Sequence, residues 1–379
     1  MLCWDIFCSV VDNFGDIGIC WRLARQLSDS DQFAVRLWVD NLASFARLCP
    51  SVSTTAATQR VGNIEVCRWS PDFPTVEVAD VVIEAFACEL PTRYISAMAE
   101  RPTPPVWINL EYLSAEAWVE DCHQVPSPHP RHRLTKYFFF PGFGPRTGGL
   151  LKERDLLSAR SKFDWRACQA FWDEIGIPPQ SDGEFRVSLF CYQNPVLPEL
   201  LNALAAGQEK VRLLVCPSPA MDQVAAWAGQ ALSPGQSLQK QSLTITSLPF
   251  LPQDAYDRLL WACDVNFVRG EDSFVRAQWA QRPFIWQPYP QSEQTHMVKL
   301  DAFLGRYSRE FGKPDVVRNC WLAWNGVGEL ACAWREFAAN RKFIEQYSRV
   351  WACQLDQATD LVNNLVLFVR AKMSDLRAI

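Results

Sequence analysis

Hydrophobic positions come in short apolar runs separated by stretches of helical spacing, a pattern that predicts strands and helices in alternation. The run LCWDIFCSVV (2–11) ends in DNFGDIG, after which Ile19, Leu23 and Leu27 recur at helical intervals. Strand, glycine-containing loop and helix therefore follow one another. The segments AVRLWVD (34–40), ADVVIEAFA (79–87) and PPVWINLEYL (104–113) predict further strands of an open parallel sheet. Residues 126–149, rich in proline, glycine and aromatics, predict a surface loop near a cleft.

From Phe185 the alternation resumes. FRVSLFCYQ (185–193), VRLLVCPSP (211–219), LTITSLPF (243–250), VNFVRG (265–270) and PFIWQP (283–288) predict strands, with helices between them, and residues 342–379 predict helix. The pattern predicts an α/β chain of two Rossmann-like lobes facing a cleft. Residues 1–180, joined by a C-terminal helix 360–379, form the first lobe, and residues 181–359 the second. In such sheets ligands bind beyond the carboxyl ends of the strands, which points to the cleft as the site of chemistry.

Composition narrows the class. A chain of 379 residues exceeds what one core usually serves, and 49% hydrophobic against 21% charged residues can bury two. The formal net charge of −5 lacks the basic surface that nucleic-acid binding requires, so no nucleic-acid partner is expected. One basic run, Arg131, His132, Arg133 and Lys136, lies beside Pro126, Pro128 and Pro130 and reads as a solvated surface loop. The 14 cysteines contain no C-x-x-C pair, which argues against a zinc ribbon or thioredoxin-type centre. Those in apolar runs, such as Cys191 and Cys216, read as small buried hydrophobes of a reducing compartment. The first residues carry Asp5 and Asp12 and no basic stretch, and no apolar run reaches 18 residues. A cytoplasmic protein without a membrane partner is the expectation. His123, His129, His132 and His296 are dispersed, and no metal site is expected.

Two loops carry chemical interest. In Asp12-Asn13-Phe14-Gly15-Asp16-Ile17-Gly18 the glycines permit close backbone approach to a ligand, while two carboxylates could orient or deprotonate a nucleophile. The bland alternative makes Asp12 a turn residue and Asp16 a helix N-cap. The loop has G-x-x-G only, half of a dinucleotide fingerprint, which argues against a nicotinamide-dependent enzyme. In the second loop, VNFV runs into Arg269-Gly270-Glu271-Asp272-Ser273 and a helix. Backbone amides at a helix start beside an arginine suit a diphosphate, with Ser273 as the cap. Glu271 and Asp272 would then turn towards sugar hydroxyls or a cationic acceptor; the alternative is an ordinary acidic first turn. Phe190, Tyr192, Phe250 and Tyr289 lie near predicted strand ends where a base could stack, and Gln253 could bond a base edge.

The stretches FCSVVDNFGDIGICWRLARQL and LPFLPQDAYDRLLWACDVNFVRGEDSFVRAQWAQRPFIWQPYPQ resemble those of the bacterial protein-arginine rhamnosyltransferases of elongation factor P, the EarP family, and the likeness runs along the whole chain. The resemblance implies a GT-B glycosyltransferase without a metal or cofactor. It would transfer L-rhamnose with inversion from dTDP-β-L-rhamnose, bound by the second lobe, to an arginine of elongation factor P, bound by the first. It implies that Asp12, Asp16 and Glu271 are the essential acids; because a protonated guanidinium is inert unless a carboxylate aligns and deprotonates it, Asp16 reads as the base and Asp12 as orienting the loop or acceptor. The donor would contact Phe14, Gly15, Phe190, Tyr192, Gln253, Arg269, Glu271, Asp272, Ser273 and Tyr289. Another nucleotide-sugar transferase, a nicotinamide-dependent two-lobed enzyme and a non-catalytic two-lobed binding protein are the competing readings.

Overall fold

The computed structural model describes residues 1–377 apart from Asn13, Asp31 and Glu310; the side chains of Ser292, Leu376 and Arg377 lie outside the description as well. The chain divides into two units, Met1–Arg154 with Asp356–Ile379, and Asp155–Leu355.

In the first unit β1 (Leu2–Cys8), α1 (Gly15–Ser28), β2 (Phe33–Val39), α2 (Leu42–Leu48), β3 (Thr58–Val61), β4 (Ile64–Arg68), β5 (Val81–Ala85), α3 (Thr92–Glu100), β6 (Val106–Leu110), α4 (Val119–Cys122), β7 (Pro126–Pro128) and β8 (Thr135–Phe139) follow in turn. They make one sheet of order β3-β4-β2-β1-β5-β6-β8-β7. Strands β4 to β8 across the centre are parallel, and antiparallel hairpins β3–β4 and β7–β8 close the edges. Residues such as Val81, Val82 and Ile83 are buried on both faces, as a sheet covered by helices requires. The chain leaves β1 towards β2 on one side and returns to β5 on the other, so a topological switch point lies between β1 and β5. Residues Ser9 to Asp12 and Phe14 sit at that point.

The second unit runs α5 (Leu156–Lys162), α6 (Trp165–Glu174), β9 (Glu184–Leu189), α7 (Leu197–Ala206), β10 (Lys210–Val215), α8 (Ala220–Ala228), β11 (Ser237–Lys240), β12 (Leu243–Ser247), α9 (Gln253–Ala262), β13 (Val265–Arg269), α10 (Asp272–Trp279), β14 (Phe284–Gln287), α11 (Thr295–Tyr307), α12 (Pro314–Trp324), α13 (Leu330–Ala339) and α14 (Arg341–Asp356). Its sheet order is β11-β12-β10-β9-β13-β14, parallel except for β11. Here the switch point falls between β9 and β13, in register at Val187 with Val265 and Leu189 with Phe267. A buried bidentate pair, Arg276 to Asp257 at 2.9 and 2.7 Å, ties α10 to α9 beside it. The last helix, α15 (Leu361–Arg377), places Leu361, Leu365, Phe368 and Val369 in the core of the first unit.

Three expectations are corrected. Residues 155–180 belong to the second unit, because Phe171 and Trp172 of α6 and Ile177 pack with Leu214, Leu248 and Leu259. Residues 126–149 are not simply a surface loop: the apolar stretch TKYFF forms β8, which pairs with β6 and buries Phe139 against Phe368. The basic run is split by the same strand. Lys136 lies in β8 and meets buried Glu84 at 3.2 Å, while Arg131 and Arg133 are exposed. Among the cysteines, Cys191 and Cys216 are buried, whereas Cys3, Cys332 and Cys353 are exposed.

Candidate active site

The loop after β1 is folded back on the helix that follows it. Asp16, at the second position of α1 and 1% exposed, accepts hydrogen bonds on Oδ2 from the amides of Val11 and Asp12, each at 2.8 Å. Its Oδ1 accepts from the Tyr112 hydroxyl at 3.2 Å. Asp16 is thus not the N-cap; Phe14 occupies that position without a side-chain cap bond. Burial raises the Asp16 carboxyl above its ordinary range, and the charge of Asp12 pushes the same way, against the pull of the three hydrogen bonds. A raised carboxyl is a stronger base.

Asp12 is half-buried in the turn, and its carbonyl accepts from the Gly15 amide at 2.6 Å. A Cβ on Gly15 would stand 2.9 Å from Asp12 Oδ2, so glycine makes room for that carboxylate. Phe14 lies under the Arg47 guanidinium, 5.4 Å from its ring centre. Asn13 is outside the described residues.

At the second switch point the structure brings together most of the residues expected at the donor site. Arg269, 6% exposed, places its guanidinium 4.4 Å from the ring centres of both Phe190 and Tyr192. Tyr192 packs edge-on against Tyr289 at 5.3 Å, and its amide donates to Gln287 Oε1 at 2.9 Å. Gln253, the first residue of α9, reaches Asp272 Oδ2 with its Nε2 at 3.4 Å. Gly270 turns the chain with a φ of 60°, a conformation glycine adopts readily, and Glu271 takes the N-cap position of α10. Ser273 is not the cap. Its hydroxyl accepts from the Arg269 amide at 3.0 Å and donates to the Arg269 carbonyl, stapling the helix start to the end of β13.

Two neighbours escaped the sequence reading. Tyr256, one turn beyond Gln253 on α9, packs its ring 5.7 Å from Phe190, and burial pushes its phenol well up. Its spacing from Gln253 is the signal that could have found it. Tyr112 lies two residues past β6 and reaches across to Asp16. Aromatic residues just beyond a parallel strand are ambiguous in sequence, since most extend the core. Among the described residues no group of three or more His, Cys, Asp or Glu side chains could hold a metal ion, and no helix is long and apolar enough to cross a membrane.

Two Rossmann-like units, each with its functional loops at a switch point, define the GT-B glycosyltransferases. A UDP-glucosyltransferase from Polygonum tinctorium shares this fold with a TM-score of 0.54 at 11% identity, over 97% of this chain and 98% of its own. Within that class the chain belongs to the family described as Elongation-Factor P (EF-P) rhamnosyltransferase EarP, whose model matches residues 4–370. A protein-arginine rhamnosyltransferase of Pseudomonas putida is 46% identical over 97% of this chain and 98% of its own. A solved structure of EarP-mediated arginine glycosylation of translation elongation factor EF-P is 33% identical with a TM-score of 0.71, covering 98% of this chain and 99% of that one. The chain is accordingly an enzyme, a glycosyltransferase of the protein-arginine rhamnosyltransferase type.

Proposed function

We propose that the enzyme transfers L-rhamnose from dTDP-β-L-rhamnose to an arginine side chain of elongation factor P, with inversion and without a metal, in the bacterial cytoplasm. The observation that carries the donor half is Arg269. A guanidinium 6% exposed, stacked on two aromatic rings and with no carboxylate paired to it among the described residues, suits a ligand that brings both negative charge and a planar base. The diphosphate then takes Arg269 and the amides at the start of α10, where the helix dipole favours an anion. Phe190 and Tyr192 offer faces to thymine, Gln253 its edge contact, and Tyr289 closes the rim. Glu271, Asp272 and Ser273 form the turn against the sugar diphosphate.

The acceptor half rests on Asp16 and Asp12. A guanidinium is protonated at neutral pH and inert as a nucleophile unless a carboxylate aligns it and takes a proton. In the proposed step a guanidinium nitrogen bonds to the sugar C1 as the C1–O bond to phosphate breaks. The electron pair leaves with dTDP, and the proton passes to Asp16 Oδ1. Attack opposite the leaving group inverts the centre through an oxocarbenium-like state. Asp12 orients the loop or the acceptor, and Glu271 holds the turn at the departing group. Charge on dTDP is met by Arg269 and the helix start, the electrostatic part of catalysis.

The test is incubation with dTDP-β-L-rhamnose and elongation factor P, followed by intact-mass analysis of the acceptor and mapping of the modified residue. One added deoxyhexose on an arginine is expected, unaffected by a chelator. An unmodified acceptor, or equal transfer from unrelated nucleotide sugars, refutes the assignment.

A further inference from the structure

Gln287, the last residue of β14, is 7% exposed. Its main-chain carbonyl accepts from the Gly270 amide at 3.1 Å, and its Oε1 accepts from the Tyr192 amide at 2.9 Å. The side chain therefore crosses the end of β13, which lies between β9 and β14 in the sheet, to reach the loop after β9. That second bond fixes which way the carboxamide points. A backbone N–H can only donate, so the atom it meets is the oxygen, and Nε2 is turned to the other side. Nε2 donates to none of the described residues, although a carboxamide this buried normally pairs its NH2 as well. Its neighbour in register across β13 and β14 is Arg269, so the two side chains leave the same face at the carboxyl edge of the sheet, where ligands bind. The Gly270 turn between them is braced separately: Trp286 Nε1 donates to the Gly270 carbonyl at 2.7 Å, with its ring stacked on Phe274 at 4.0 Å. A side chain needed only to receive the Tyr192 amide could be a carboxylate; a carboxamide adds a donor and no charge.

We propose that Gln287 is a further donor-binding residue: its Nε2 donates to the diphosphate that Arg269 takes, so that a carboxamide and a guanidinium together fix where the leaving group sits. This rests on the reading of the donor as a nucleoside diphosphate sugar. Phosphate oxygens only accept, which matches two neighbouring side-chain groups that have only hydrogens to offer. A neutral second donor adds direction without a second buried positive charge, whose desolvation would be costly. Because one carboxamide bonds both the diphosphate and the Tyr192 amide, Gln287 also ties the grip on phosphate to the position of the Tyr192 ring.

Calorimetric titration of Gln287→Met and Gln287→Glu with dTDP and dTDP-β-L-rhamnose, and displacement by thymidine, tests the contact. Methionine removes the donor, and dTDP affinity should fall about 10- to 100-fold, the loss of a hydrogen bond to a charged group, while thymidine affinity stays within about threefold. Glutamate keeps an oxygen for the Tyr192 amide but sets a carboxylate beside Arg269, so it should bind dTDP at least about tenfold more weakly while the fold holds. Equal losses for thymidine and dTDP in the methionine variant make Gln287 a bracket for Tyr192 alone and overturn the proposal. So does a loss confined to dTDP-β-L-rhamnose, which puts Nε2 on the sugar, or parental dTDP affinity in either variant. Should the methionine variant fail to fold, the glutamate variant decides by its dTDP affinity. A parent enzyme that binds no dTDP overturns the functional reading, and the contact with it.

Discussion

The guanidinium of Arg269 lies 4.4 Å from the ring centre of Tyr192 and has no carboxylate partner among the described residues. A buried cation without a counter-ion costs stability in the free protein, and an anionic ligand removes that cost. On the proposed reading the residue serves the charge of a ligand rather than the fold.

Arg269→Met separates these two effects. Loss of a charge-assisted contact worth about 1.5–3 kcal/mol should weaken dTDP binding by about 10- to 100-fold. The ligand-free melting temperature should not fall, because the variant removes an unpaired buried charge and keeps an apolar stem between the rings. Calorimetric titration with dTDP and a thermal melt read both quantities. Loss of more than about 4 °C, the shift that about 1 kcal/mol produces in a unit of this size, would make Arg269 a structural residue.

Asp16→Asn should lower transfer by at least about 100-fold, the lower bound for losing a positioned base, while dTDP-rhamnose still binds. Asparagine retains an oxygen for the Val11 and Asp12 amides, so the loop keeps its form. The pH dependence carries a sign. With Asp16 as the proposed base, transfer needs the carboxylate, and because that carboxyl is raised the rate should fall with decreasing pH through a value above the ordinary carboxyl range. Asp12→Asn removes a charge that raises Asp16, and the acidic limb of whatever activity remains should move to lower pH. For stability the sense is reversed from that of a salt-bridged acid. A folded-state value above the unfolded one means the carboxylate form costs stability at neutral pH, a cost that disappears as pH falls below the unfolded value.

Much of this was legible in the chain. The alternation of runs such as VRLLV and VNFVR with helical spacing marked both sheets, because strands buried on both faces must be continuously apolar. The loops after β1 and β13 stood out because glycine and acid residues interrupt such runs at strand ends. Less visible was anything set by long-range packing. The placement of α6 depends on Phe171 meeting Leu214 and Leu248, and the pairing of Lys136 with Glu84 depends on β8 adding to β6; neither is local. Ser273 looked like a cap because its type and position fit one, yet the end of β13 is close enough to claim its hydroxyl first.

Gly15→Ala probes the same loop without touching a carboxylate. The added methyl would sit 2.9 Å from Asp12 Oδ2, the end of a flexible side chain, so Asp12 turns aside while α1 remains intact. Transfer should fall by about tenfold or more, as displacement of an aligned group by an ångström can cost that much. The melting temperature should change by no more than about 2 °C, since alanine favours helix over glycine. A variant with parental kcat would remove Asp12 from any role that depends on its present orientation.

The ion pair beneath the loop proposed to hold the donor gives the last prediction. Asp257 and Arg276 are both buried and bidentate, and they join α9, which begins with Gln253, to α10, which begins with Asp272. Asp257→Leu leaves a buried guanidinium without that partner, and a cost of about 3–5 kcal/mol is expected for the second unit. Pairing it with Arg276→Met removes the stranded charge, and the double variant should recover much of the stability lost by the single one. Donor binding should recover less, because an apolar contact lacks the two parallel hydrogen bonds that fix the angle between the helix starts. Denaturant unfolding of the two variants and the parent, set beside their dTDP affinities, separates these outcomes. If affinity returns in step with stability, the pair serves the fold alone; a stable double variant with weakened dTDP binding shows that the angle it sets is part of the donor site.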